Sequence, residues 1–333
     1  MEFAAFAPFW ILFSLLSAFF HASRLAVTKH LSLRFSVRTL TLYVNLASLI
    51  VTLPLIVWNH NFPLHEPLFI TAVLLGGGIS GLGGWALNTA IHRSEVSLVG
   101  PVMTLTPGFV VIIEWLVIGD LPGNLGLLGL GLLMLGAYLL SVEREQTSLI
   151  EPLRLLFTQP GARFTLVASF CFAAASTLGR LGVQMSDPLS FAVVVAIINP
   201  ILLFVLFSVQ DRRFYREVYP GNLRRELRPL LLLGLLFALM RIADQIVLSL
   251  TLASYAMAAK RVGGVFSVLL GHWFFGEHIW CSGLLAAFVM LAGLGFTDSV
   301  IDGPWFRRLG VRYSHTSATV RMSRYHFCCL SLS

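Results

Sequence analysis

The residues with the most chemistry in them stand inside long apolar runs. Lys260 and Arg261 are adjacent in YAMAAKRVGGVFSVLLGHWFFGE (255–277), and Arg241, Asp244 and Gln245 interrupt LLLLGLLFALMRIADQIVLSLTL (230–252). Glu114 lies between Ile113 and Trp115, Asn45 lies in TLYVNLASL, and Trp85 and Asn88 lie in GGWALNTAIHR. Cations of this kind bind anionic groups, an acid beside them can exchange partners or carry a proton, and Trp with Asn can stack on and hydrogen-bond a small solute. No HExxH, GxSxG, Walker or DxxxD pattern accompanies them. Cys171, Cys281, Cys328 and Cys329 form neither a CxxC pair nor a metal spacing. The residues therefore read as a binding set, with no enzyme, cofactor or metal expected.

Each group also has a plainer reading. Adjacent helical residues diverge by about 100°, so Lys260 and Arg261 cannot share one narrow face. One would face a cavity and the other a neighbouring segment. Alternatively, about 9 Å from the helix start, both could snorkel to the headgroups. Gly263, Gly264, Ser267 and Gly271 form a small-residue row that favours close helix packing beside them. Arg241 and Asp244, at i and i+3, can pair on one face, with Gln245 one turn from Arg241. That pair would either pin helix packing or line a cavity where substrate or proton competes for it. Glu114 would carry a coupling proton or anchor the interface with Trp115. Pro101 and Pro107 bend its helix. Asn45, Trp85 and Asn88 would contact substrate or lock helices together. Lys29 and Arg180 read as membrane-surface anchors and His272 as a packed interfacial residue. The substrate-binding candidates are Lys260, Arg261, Arg241, Asp244, Gln245, Trp85, Asn88 and Asn45; the coupling-proton candidates are Glu114 and Asp244.

What must position these residues follows from composition. Hydrophobic residues make up 57% of the 333 and charged residues 12%, with a mean hydropathy of +0.83, far from globular usage. Apolar windows of bilayer-spanning length recur at 6–28, 38–58, 68–91, 97–118, 123–142, 164–184, 189–209, 229–251, 254–275 and 279–299. The expected fold is an all-α polytopic membrane protein of about ten transmembrane helices. The N-terminus lacks a basic region before its long apolar run and reads as a retained span. The net charge of +7 comes mostly from loop cations beside spans, which explains it without nucleic acid. Thirteen of the 23 Lys and Arg, between Lys29 and Arg228, fall in loops of one face, which would put both termini outside the cytoplasm.

The spans come in two sets. SLVGPVMTLTPGFVVIIEWLVIGD (97–120) aligns without a gap to SYAMAAKRVGGVFSVLLGHWFFGE (254–277), and each is followed by a Gly-rich apolar stretch. Lys29–Ser36 likewise matches Arg180–Asp187. Five spans per copy force the second copy to enter the membrane from the opposite side. Such inverted repeats place a site near the midplane and permit alternating access. The expected division is a first repeat at 1–150, a second at 151–302, and a basic, disordered tail at 303–333 in which Cys328 and Cys329 could be lipidated.

The Pro- or Lys-Arg-containing helix, then Gly plus a carboxylate, then LGLLGLGLLMLGAYLL or SGLLAAFVMLAGLG, resembles the EamA family of the drug/metabolite transporter superfamily over roughly residues 8–299. That resemblance implies two inverted five-helix repeats and movement of small metabolites. AAKRVGGVFSV is similar to the Lys-Arg helix of plastid sugar-phosphate/phosphate translocators, which implies that Lys260 and Arg261 are anion ligands. The sequence thus predicts a secondary transporter of a small polar organic metabolite, leaning anionic, in a bacterial inner membrane. Export of neutral or zwitterionic amino acids or amphipathic drugs, and a membrane scaffold without transport, remain the alternatives. The expected partners are a small-molecule substrate and membrane lipid, not nucleic acid, with a homodimer left open.

Overall fold

The computed structural model describes residues 9–32, 34–57, 62–93, 96–144, 159–211, 214, 223–266 and 281–301. They form helices α1 (Trp10–Ser32), α2 (Val37–Thr52, continued as a 3₁₀ turn Leu53–Val57), α3 (Pro67–Arg93), α4 (Val96–Met103), α5 (Thr106–Val117) and α6 (Asn124–Arg144). After residue 159 come α7 (Pro160–Met185), α8 (Pro188–Gln210), α9 (Leu223–Leu250), α10 (Ala253–Ala259, followed by a 3₁₀ turn Lys260–Val262) and α11 (Cys281–Ile301). No strand occurs among the described residues. Ser267, Gly271, His272, Glu277 and the tail 303–333 lie outside them, as does the side chain of Lys29.

Among the described residues, seven helical segments are long and apolar enough to cross a membrane: Val37–Val57, Pro67–Ala90, Val99–Val117, Asn124–Ser141, Pro160–Met185, Pro188–Gln210 and Glu226–Leu250. The chain is a multi-pass membrane protein. Its outward side chains, such as Ile50, Leu116, Val209 and Phe288, are apolar and exposed. Asn45, Asn199, Arg180, Arg241 and Glu114 are buried instead. This distribution suits a hydrocarbon surround, where the backbone is satisfied within helices and polar side chains turn inward.

Two features of the helix ends follow from residue type. Ser36 caps α2 by accepting from the Thr39 N–H (3.3 Å). Asp187, followed by Pro188 in the first turn, caps α8 by accepting from Leu189 N–H (3.0 Å) and Ser190 N–H (2.9 Å). The span at 97–118 is broken by a turn at Thr104–Leu105, just before Pro107, which has no N–H to give a continuous helix. The segment from Ala253 is broken too, into the 3₁₀ turn Lys260–Val262, without any proline.

Three packing contacts position the interior. α3 lies along α7, α1 lies along α9, and α6 lies along α11. In the last pair, a Cβ at Gly129 would come 2.8 Å from the Gly293 carbonyl, and one at Gly293 would come 2.8 Å from the Gly129 carbonyl. Only glycine at both positions lets these backbones approach so closely. A core around Trp10, Leu133, Tyr255 and Met290 joins α1, α6, α10 and α11.

Candidate functional site

Between the helices lies a cavity with about 180 Å³ of room for the centres of water-sized molecules. Its wall draws on α1, α2 and α3 from the N-terminal side of the chain and on α7, α8, α9 and the Lys260–Val262 turn from the C-terminal side. Small residues on α3 (Ser80, Gly81, Gly84) open the space. The Asn88 amide crosses from α3 to α2, donating to Thr41 Oγ1 at 2.7 Å, and Asn45 donates to the Thr41 carbonyl at 2.8 Å.

Among the described residues, four basic side chains line this space: Arg24, Arg241, Lys260 and Arg261. Asp244 is the carboxylate among the lining residues. Its Oδ2 accepts from Lys260 Nζ at 2.6 Å, and its Oδ1 accepts a short hydrogen bond from Ser17. Arg241 instead donates through Nη1 to the Asn199 side-chain oxygen at 3.0 Å, once the Asn199 amide is oriented to donate to the Gly77 carbonyl at 2.8 Å. The guanidinium groups of Arg24 and Arg241 both lie over the Phe237 ring, 5.0 and 5.3 Å from its centroid. Arg24 Nε, Arg261 Nε, His21 Nδ1 and Gln245 Oε1 are buried without a hydrogen-bond partner among the described residues.

The structure brings together seven of the sequence candidates: Asn45, Asn88, Arg241, Asp244, Gln245, Lys260 and Arg261 all line the cavity. Three geometric expectations change. Arg241 and Asp244 form no ion pair with each other; Lys260 takes the carboxylate, while Asn199 and Phe237 hold the arginine. Lys260 and Arg261 both line the cavity, which is broad enough to take side chains that diverge by about 120° in the 3₁₀ turn where they stand. A tightened turn of this kind often marks a functional position. Gly263 follows at once, and a Cβ there would meet the Ala18 carbonyl at 3.0 Å, so the turn packs directly on α1. Trp85 does not line the cavity; it packs edge-on against Phe164, 5.9 Å between centroids.

Glu114 stands apart from the cavity as well. It is fully buried, while its neighbour Trp115 is exposed. Its Oε1 accepts from Arg180 Nη1 at 2.7 Å and from the Ala253 N–H at 2.9 Å, and its Oε2 accepts from the Ser254 N–H at 3.2 Å. Arg180 also reaches Asp120 Oδ2 at 2.8 Å. Arg180, expected at the membrane surface, is thus buried in an ion-pair network that fastens α7 to the end of α5 and the start of α10.

The sequence reasoning missed the α1 contribution. Ser14, Ser17, His21, Arg24 and Thr28 all line the cavity. They recur at steps of three and four, one stripe along an otherwise apolar helix, and that spacing was a readable signal. Asn199, the partner of Arg241, carried no such signal; it stands alone in AVVVAIINPILLF beside Pro200.

No curated protein matches the chain. One solved structure, described only as "Crystal structure of protein", is similar in fold, with a TM-score of 0.67 and 15% sequence identity over 90% of this chain and 98% of that one. The family model that matches is that of the EamA-like transporter family, a family of membrane transporters, and it identifies residues 8–142, spanning α1 to most of α6, as EamA-like sequence.

Proposed function

We propose that the protein is a secondary transporter that moves a small anionic organic solute by alternating access between two inverted five-helix repeats. The observation that carries the reading is the buried, cation-rich cavity lined by both parts of the chain. A scaffold has no use for several cations gathered in its interior, two of them with a buried and unmet Nε, which are expensive inside a membrane.

Several pairings support the repeat. Ser36 and Asp187, equivalent in the sequence alignment, both cap the helix that follows. The break at Thr104–Leu105 and the tightened turn at Lys260–Val262 fall at corresponding places in the other aligned pair. Counting α4 with α5 and α10 with its 3₁₀ turn as single units gives ten helical units among the described residues, five on each side of residue 150. The packing is then reciprocal: the third span of the first set lies on the first of the second, the first lies on the third, and the fifth lies on the fifth.

Alternating access needs contacts that close each end in turn. The Glu114–Arg180–Asp120 network joins the two sets at one end of the helices. Arg34 with Glu226, and Arg38 with Asp211 (3.4 Å), join them at the other. Asp244 is the better placed coupling-proton candidate, since it lines the cavity and touches Lys260, whereas Glu114 does not line it.

Counterflow in liposomes tests the proposal. Vesicles carrying the purified chain, loaded with a mixture of organic acids, sugar phosphates and amino acids, are expected to accumulate labelled external solute faster than empty vesicles. Equal rates for every solute would remove the transport reading.

A further inference from the structure

The charge balance of the cavity goes beyond an anionic preference, and it rests on the transport reading for its biological sense. We propose that the solute carries at least two negative charges in one small molecule, as a dicarboxylate or a phosphate monoester does.

Arg24, Arg241, Lys260 and Arg261 contribute four positive charges, and Asp244 contributes one negative. That carboxylate is already held by Lys260 and Ser17. Three guanidinium groups therefore share the cavity with no carboxylate of their own among the described residues. Their remaining contacts are neutral. Two of them lie over the Phe237 ring and Asn199 accepts from one. A ring face attracts each cation but cancels no charge. Asp244 attracts all three, but its single charge is shared with Lys260, and among the described residues no second carboxylate offsets their mutual repulsion; negative charge brought in from outside would.

A singly charged solute would leave two of the three uncompensated. A zwitterion would set its ammonium among cations, with Asp244, the one carboxylate among the described lining residues, already engaged and only the neutral Gln245 Oε1 unpartnered. A dianion meets two guanidinium groups in charge-assisted, forked hydrogen bonds, the geometry in which arginine surpasses lysine. The donors for it are at hand, since Arg24 Nε and Arg261 Nε have no partner among the described residues. The room, about 180 Å³ for water-sized centres, corresponds to on the order of ten water-sized positions, enough for a short diacid or a small phosphate ester.

Matched pairs of solutes differing by one charge provide the test. Succinate against succinamate, and methyl phosphate against dimethyl phosphate, with alanine as the zwitterion, are titrated into the purified full chain in detergent. The same solutes are then followed in liposome counterflow. At least one dianion is expected to bind about tenfold or more tightly than its singly charged twin, a gap of about 1.4 kcal/mol. Which pair shows the larger gap tells carboxylate from phosphate. Arg24→Gln and Arg261→Gln are expected to shrink the gap to less than about threefold, while Arg24→Lys, which keeps the charge, retains most of it. Thermal midpoints without ligand confirm that each variant is folded.

Equal or weaker binding of both dianions overturns the inference, as does binding of no solute at all. If succinamate or alanine then exchanges across the vesicle wall, transport stands and the charge assignment falls. Dianion binding with the expected gap but no exchange of any solute leaves the charge assignment standing and removes transport.

Discussion

Two charge clusters, one buried and one partly buried, stand at the two ends of one short helix. At the start of α10, Glu114 accepts from the Ala253 and Ser254 amides and from Arg180. Seven residues on, about 10 Å at helical rise, Lys260 meets Asp244 at the cavity wall. In the first cluster two carboxylates, Glu114 and Asp120, share one arginine, and the backbone amides supply the remaining donors. In the second, one carboxylate faces four cations. The same chemistry therefore serves opposite ends. A cluster whose carboxylates are held by an arginine and two backbone amides holds helices together, even with Arg180 Nε left without a partner among the described residues. A cluster with surplus cations is costly to fold and is suited to receive what it lacks.

Breaking the buried Glu114–Arg180 cluster should cost the most. Glu114→Ala strands Arg180 beside Asp120 alone and frees two amides at the start of α10. Removing one member of a buried pair typically destabilises by about 3–5 kcal/mol. The expected result is a large fall in the thermal midpoint of the purified protein in detergent. A midpoint unchanged from wild type would show that the network fastens nothing.

The pair at the cavity wall comes next. Lys260→Gln, Asp244→Asn and the double variant form a cycle, with a coupling of about 0.5–3 kcal/mol expected for residues in direct contact. Asp244→Asn alone raises the surplus positive charge of the cavity. It is therefore expected to strengthen anion binding while lowering stability. Weaker anion binding in that variant would mean that Asp244 itself orients the solute.

The surplus cations should respond in the opposite sense to Glu114. Arg24→Gln or Arg261→Gln removes a charge that has no carboxylate and relieves repulsion. An unliganded stability equal to wild type or higher by about 0.5–2 kcal/mol is expected, alongside the loss of anion binding. Stability that fell as far as in Glu114→Ala would erase the distinction between the two clusters.

How far the sequence reveals these clusters depends on the range of the interactions. The apolar runs are local and long, and helices fill the described parts of each. Pro107 announces the break in the fourth run, because a missing N–H acts within one turn. The tightening at Lys260 has no such local cause; it lies where the turn passes close to Ala18 of α1, a contact spanning most of the chain. The cavity stripe on α1 was written in the spacing of Ser14, Ser17, His21, Arg24 and Thr28, yet spacing alone does not say which helix it faces. Glu114 with Arg180, and Arg241 with Asn199, are pairings between separate helices. Hydropathy and periodicity carry no partner information. The expectation that Arg241 would take Asp244 failed for that reason: a neighbour in sequence lost to partners brought by the fold.

The smallest effect on stability is expected at the opposite end of the helices, and it is the most informative about movement. Arg34, half exposed, pairs with Glu226, and Arg38 pairs loosely with Asp211. An ion pair open to solvent contributes about 0.2–1 kcal/mol, so Arg38→Gln should barely move the thermal midpoint, whereas Arg34→Gln strands the buried Glu226 carboxylate and costs more. If these pairs help close one end, weakening them shifts the balance between the two access states, and a shift of about 1 kcal/mol changes the ratio of the states roughly fivefold. Counterflow rate, not solute affinity for the purified protein, is then the quantity expected to change in Arg38→Gln, and added salt should mimic that variant in wild type by screening the same part-exposed pair. Rates insensitive to both treatments would leave the Glu114 network as a fastening with no counterpart, and the two ends would no longer be alternately closed by charge.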